Sequence, residues 1–244
     1  MMSKQPHIAV SPQQVAERVI VCGEPDRVNR ISSLLEQVEL IADNREFRLM
    51  NGQYQGKMIT LCSTGVGAPS AIIALEELKL CGAKYLVRVG SAGALQHNIG
   101  LGELIVAEAA VRDEGGSKAY VPGEFPACAD RHLLSGIEAY LSQNNYPAHI
   151  GVVRSHDSFY RDDEDDICQR WSQKGVLGAD METSALLTVG RLRGMKVASI
   201  LNNVVLYQQD VQDGVNQYLN ADDVMMQGEM AASKAALHAL WLEP

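Results

Sequence analysis

Short apolar runs that end in glycine or turn residues alternate along this chain with stretches of helical spacing. The order of these segments restricts the fold more than any other feature. Residues 18–23 (RVIVCG) read as a strand that stops at Gly23-Glu24-Pro25-Asp26-Arg27, and 28–38 have helical spacing. Residues 46–64 read as a hairpin around the turn chemistry of NGQYQGK. A Gly/Pro/Ser entry then opens a helix over 65–82, which closes at Gly82. Further strands are expected at 84–95, 102–113, 149–160 and 196–206, with helices at 129–145, 162–175, 179–194 and 221–242. Such alternation predicts an α/β fold, three layers in α/β/α order around a central mixed, largely parallel sheet. No internal repeat, low-complexity run or linker interrupts it, so 1–244 read as a single domain.

Charge and cysteine usage narrow the function classes. The net charge of −9 argues against a nucleic-acid surface, so any anion site must be a local group of arginines on a negative background. Cys22, Cys62, Cys81, Cys128 and Cys168 are scattered, without a CxxC pair or zinc-ligand spacing. Reduced thiols in a cytoplasmic protein are expected, with no metal. The N-terminal stretch lacks a signal-peptide core, and no window approaches the ~18 apolar residues of a membrane span; no membrane partner is expected.

Unusual residues collect where strands end, which in α/β sheets is where ligands bind. The second strand end is Ser63-Thr64-Gly65-Val66-Gly67-Ala68-Pro69-Ser70, and the third is Arg88-Val89-Gly90-Ser91-Ala92-Gly93. Backbone N–H groups at a glycine-rich helix entry attract anions, and arginine offers a fork of donors that fits phosphate. Arg88 is notable because it stands inside an otherwise apolar strand. Each residue alone also has an ordinary reading: Arg27 pairing with Asp26 or Glu24, Arg88 bridging to a core carboxylate, the glycines easing packing. Asp180-Met181-Glu182 at a helix start places a carboxylate able to bridge two neighbouring hydroxyls. Phe159-Tyr160 at a strand end offers aromatic rings for stacking or for the core, and His7 sits in an extended N-terminal segment.

The segments PHIAVSP, VIVCGEPDRV, NREF, STGVGAPSAIIALEEL, LVRVGSAGAL, AAVRDEGGSKAYVPGEFPACAD, SHDSFY, GADMETSALL and SILNNVV, in that order, resemble the hexameric nucleoside phosphorylases over nearly the whole chain. NREF and the stretch from VRDEGGS to EFPACAD resemble the uridine branch. The resemblance implies the phosphorylase/hydrolase-like fold and phosphorolysis of a nucleoside by inorganic phosphate, in nucleoside salvage or catabolism, by a pentosyltransferase. It implies phosphate binding by Gly23, Arg27, Arg88 and Ser91, with Arg45 from a neighbouring subunit. Glu182 is implied at the ribose hydroxyls, Met181 and Phe159 against the sugar, and the neighbour's His7 at its far hydroxyl. Arg27, Arg88 and Glu182 are the implied catalytic residues. Partners are then a small nucleoside, phosphate and further copies of the chain, as dimers assembled into a homohexamer. No cofactor is implied, phosphate being a co-substrate.

The base site departs from the family. The candidate pocket is Gly93, Phe159, Arg161, Asp163, Asp165, Val204 and Val205. Asp163 and Asp165 fall near the places where uridine phosphorylases carry the Gln and Arg that read uracil, and ionised carboxylates donate no hydrogen bonds. The 159–182 segment is short, as in the bacterial purine enzymes. Yet Val204-Val205 stands where those carry the Asp that protonates the purine, and valine is no acid. A pyrimidine nucleoside, uridine first, is the expectation. The alternatives are a purine nucleoside phosphorylase, a nucleosidase using water, and a non-catalytic nucleoside-binding relative.

Overall fold

Residues 4–209 and 223–244 are described by a computed structural model. The chain runs β1 (Arg18–Cys22), α1 (Pro25–Ser32), β2 (Glu36–Asn44), β3 (Phe47–Tyr54), β4 (Lys57–Ser63), α2 (Ala68–Leu80) and β5 (Tyr85–Ala94). There follow β6 (Leu104–Asp113), β7 (Ala127–Cys128), α3 (Arg131–Gln143), β8 (Ala148–His156), α4 (Glu164–Ser172), β9 (Gly178–Asp180), α5 (Thr183–Leu192), β10 (Lys196–Val205) and α6 (Asp223–Leu242). Ala221 and Asp222, read from the sequence as the start of the last helix, lie outside the described residues.

The α/β expectation holds: one mixed sheet carries the helices. Its path is β10-β6-β8-β9-β5-β1-β4-β3-β2, and β10 also pairs with β5, so the β5, β10, β6, β8 and β9 end curls into a closed ring. Parallel pairings join β1 to β4 and β5, β5 to β10, β6 to β8 and β8 to β9. Cys22 stands opposite Ser63, Val21 opposite Arg88, and Ser91 opposite Asn202. The carboxyl ends of β1, β4, β5 and β10 therefore reach the same edge of the sheet. Val19, Ile20, Leu86, Val87, Val197 and Ala198 fill both faces of these central strands and are fully or almost fully buried, as parallel strands covered on both sides require.

Two local differences from the sequence reading have physical causes. The helix expected over 28–38 ends at Ser32, and Glu36–Asn44 form an edge strand against β3. Backbone pairing with β3 overrides the helical spacing, and register shifts between Glu36 and Glu39 and between Leu40 and Ala42 break the alternation that would have announced a strand. The hairpin turn falls within NGQYQGK as expected, at Gln55-Gly56, with φ of 49° and 78°; two successive positive φ values match the twist of a tight hairpin. Short β7 and β9 carry too few residues to show a period.

Candidate active site

Arg88 is the centre of the site and is 3% exposed. Its Nε donates to Asp180 Oδ2 at 3.1 Å and one terminal nitrogen donates to Glu182 Oε2 at 2.5 Å. The other terminal nitrogen, Nη1, is buried and has no hydrogen-bond partner among the described residues. A buried charged donor left open in this way calls for an acceptor that the described residues do not supply. The carboxylates are themselves held. Asp180 accepts from the Thr183 N–H and hydroxyl at 3.0 and 2.6 Å and from the Ser155 hydroxyl at 2.5 Å. Glu182 Oε1 accepts from the Gly67 N–H at 2.5 Å.

Two glycine positions make this geometry reachable. The guanidinium folds back over Gly90, where an added Cβ would lie 2.6 Å from Arg88 Nη2 and 2.7 Å from Cζ; any side chain there would push Arg88 out of place. Gly67, the residue before α2, has φ of 92°. That backbone region favours glycine, and it turns the Gly67 N–H toward Glu182. Burial raises the Glu182 carboxyl above the ordinary carboxylate range, while the Arg88 charge pulls it down and Asp180 pushes it up.

Arg27 lies in the first turn of α1, buried, beyond the end of β1. It donates to Glu229 Oε2 at 2.8 Å, to the Val89 carbonyl at 3.0 Å and to the Ser91 hydroxyl at 2.7 Å. Glu229 comes from α6 and also accepts from Arg30 Nε at 2.5 Å, while Arg30 reaches Glu24 at 2.5 Å. The surface pairing of Arg27 with Glu24 expected from sequence is a 4.0 Å contact beside the shorter one to Glu229. Gly23 faces the Gly65 carbonyl across the same strand ends, 3.8 Å from where its Cβ would be. Gly23, Arg27, Arg88, Ser91 and Glu182 thus gather at one sheet edge, and half-buried Met181 precedes Glu182. Cys22 sits beside them, but burial pushes its thiol up to about 12, which removes it as a nucleophile near neutral pH.

A cleft of about 910 Å³ opens next to this cluster, between the ends of β5, β9 and β10 and the segment leading into α4. Gly93, Phe159, Arg161, Asp165 and Val205 of the expected base pocket line it. Asp163 and Val204 do not. Asp163 forms a two-pronged pair with Arg161, 2.8 Å on each prong, at the exposed surface. Val204 is buried in a small cluster with Met225. Phe159 meets Tyr160 edge to face at 5.0 Å. Gly67 and Gly90 belong to the strand-end turns read from the sequence, whereas sequence reasoning did not single out Glu229 or His156, which shape the cluster and the cleft. A carboxylate in the apolar stripe of the last helix was the available signal for Glu229.

His7 and Arg45 lie together elsewhere. Asn44 Nδ2 donates to the His7 carbonyl at 2.7 Å, His7 Nδ1 is 2.6 Å from Glu77, and Arg45 is the exposed tip of the β2–β3 turn, with φ of 58°. Among the described residues no hydrogen bond or ion pair joins either of them to Arg27, Arg88, Ser91 or Glu182. The next residue, Glu46, accepts from Ser70 at 2.9 Å, so this turn borders the entrance to the strand-end cluster. Among the described residues no helix is long and apolar enough to cross a membrane.

The family model of the phosphorylase superfamily matches residues 17–240. The crystal structure of uridine phosphorylase from Vibrio fischeri ES114 has a TM-score of 0.93 and 63% sequence identity, covering 99% of this chain and 99% of that one. Guanosine phosphorylase of Halorubrum lacusprofundi is 38% identical over 199 residues, 82% of each chain. Uridine phosphorylase of Escherichia coli K12 is 32% identical over 240 residues, 93% of this chain and 92% of that one. With the family matched from β1 into α6, the chain belongs to the phosphorylase superfamily.

Proposed function

We propose that the protein is a nucleoside phosphorylase, a pentosyltransferase that cleaves uridine with inorganic phosphate to uracil and ribose 1-phosphate in nucleoside salvage or catabolism. The observation that carries this reading is the open Nη1 of buried Arg88, beside Arg27 and Ser91. Phosphate oxygens accept from that donor, from the Arg27 fork and from the Ser91 hydroxyl. Glu182 then holds the ribose hydroxyls, with Met181 and Phe159 against the sugar. The bound phosphate attacks the anomeric carbon from the face opposite the base. As the C–N bond breaks, its electron pair leaves with the base, which takes a proton, and the new C–O bond inverts the centre. Positioning and charge stabilisation carry the rate, with neither a side-chain nucleophile nor a cofactor.

Local charge explains why the site is shared between subunits. Arg27, Arg30 and Arg88 face Glu24, Glu229, Asp180 and Glu182, so one chain's cluster carries no surplus positive charge for a phosphate dianion. An adjacent copy presenting Arg45, with His7 beside it, supplies that charge and a contact to the sugar. Three such dimers give the hexamer.

A second reading, a 6-oxopurine nucleoside, is favoured by the guanosine phosphorylase among the relatives. Against it, apolar Val205 lines the cleft at the end of β10, where an acid would be needed. A panel of uridine, thymidine, cytidine, inosine, guanosine and adenosine, each with phosphate, tests the substrate. Uridine is expected to be turned over at the highest kcat/KM. Efficient inosine or guanosine cleavage with little on uridine would place the protein on the purine side.

A further inference from the structure

The phosphate and ribose readers above leave the base edge without an assigned partner, and one buried titratable side chain at the cleft has no role in that chemistry. His156, the last residue of β8, is 8% exposed and lines the cleft with Gly93, Ala179 and Val205. Its Nδ1 lies 3.0 Å from the Ser158 carbonyl oxygen. A carbonyl only accepts, so Nδ1 carries the proton of the bond. Burial lowers the pKa of the ring and the Arg154 guanidinium lowers it further, while Glu164, the Ser158 hydrogen bond and Asp180 pull the other way. The neutral tautomer with Nδ1–H has its lone pair on Nε2. Among the described residues, no hydrogen bond engages that nitrogen.

Glu164, Arg161 and Asp165 on the same wall are poorer base readers. Glu164 is taken up by Arg154, whose Nη1 donates at 2.5 Å. Arg161 is held by Asp163. Asp165 is an exposed carboxylate at the start of α4. His156 presents a neutral acceptor from a rigid strand end, and it adds no charge to a site already rich in carboxylates.

We propose that His156 Nε2 reads the nucleobase, accepting a hydrogen bond from a ring N–H that lies beside a carbonyl carbon. Uracil N3–H and the N1–H of a 6-oxopurine share this chemistry. Cytosine N3 and adenine N1 carry a lone pair at the corresponding place, so there acceptor meets acceptor, and such a mismatch at a buried group costs more than the bond itself supplies. The inference rests on the nucleoside reading and assigns the residue that selects its base.

Calorimetric binding of free bases in the presence of phosphate tests it without relying on turnover. One arm compares uracil with 3-deazauracil, a 4-hydroxy-2-pyridone that presents C–H where uracil has N3–H, without added bulk at that position. The other compares hypoxanthine with 1-deazahypoxanthine. The wild-type protein is expected to prefer the N–H base by about tenfold or more in at least one arm, which also identifies the base class. His156→Leu is expected to level that ratio, and His156→Gln, whose amide oxygen accepts, to keep part of it. Equal wild-type binding within both pairs, or a ratio unchanged in a folded His156→Leu, would overturn the proposal; the wild-type ratio decides if the leucine variant does not fold. Uridine turnover with a ratio near one would sink the His156 assignment alone. A clear ratio without turnover on any nucleoside would instead sink the phosphorylase reading and leave His156 as a base reader.

Discussion

Replacing Arg88 with alanine is expected to lower kcat/KM for phosphate by about ten- to a hundredfold or more and to lower the melting temperature as well. Losing a charge-assisted bond to the anion removes about 1.5–3 kcal/mol. The same change strands Asp180 and Glu182, both buried at a sheet edge where Arg88 is their shared counter-charge. Breaking a buried pair from one side typically costs about 3–5 kcal/mol. Two effects therefore overlap, and Arg88→Lys separates them. A lysine keeps the charge near the carboxylates, so most of the stability is expected to return. Its compact ammonium cannot serve Asp180, Glu182 and phosphate at once, so the phosphate KM should stay raised. Steady-state kinetics against phosphate concentration, with thermal unfolding alongside, reads both. A lysine variant with wild-type phosphate KM would reduce Arg88 to a structural bridge.

The second large effect is a recovery of activity. Arg27→Ala and Arg45→Ala are each expected to fall to about a hundredth of wild-type activity or lower, since each removes a cation from a site with no positive surplus. Mixed and reassembled, the two inactive proteins should regain activity. In a two-fold dimer containing one of each, the Arg45→Ala chain still has its own Arg27 and receives Arg45 from its partner. One intact site per mixed dimer gives about a quarter of the wild-type sites at random pairing. If Arg45 served its own chain, both sites of a mixed dimer would stay broken and no activity would return.

The legible parts of this protein were those with a local signature. Strand and helix alternation gave the layer order, and the glycines after β4 and in the second half of β5 marked where backbone must be approached closely. Arg88 declared itself as a charge inside an apolar run. Both of its sequence readings turn out to apply at once: it bridges the core carboxylates Asp180 and Glu182, and it still has a donor to spare. What stayed hidden depended on distance along the chain. Glu229 sits 202 residues from Arg27 and meets it only because α6 packs back over the strand ends. β2 was lost to an irregular edge whose bulges break the alternation. Asp163 had the right place in the sequence for the base site, but its neighbour Arg161 captures it at the surface. His156 looked like an ordinary residue of a strand end until the sheet curled and brought β8 beside β5 and β10 through β9 and β6.

The central claim is that phosphate, not water, is the group that displaces the base. The phosphorus NMR spectrum of a reaction containing the protein, uridine and inorganic phosphate tests it most directly. The inorganic phosphate resonance should shrink as a sugar 1-phosphate resonance grows, in equal amount to the uracil released, and uracil release should stop when phosphate is left out. Uracil appearing at an undiminished rate without phosphate, with no sugar phosphate formed when it is present, would contradict the account and make the protein a hydrolase.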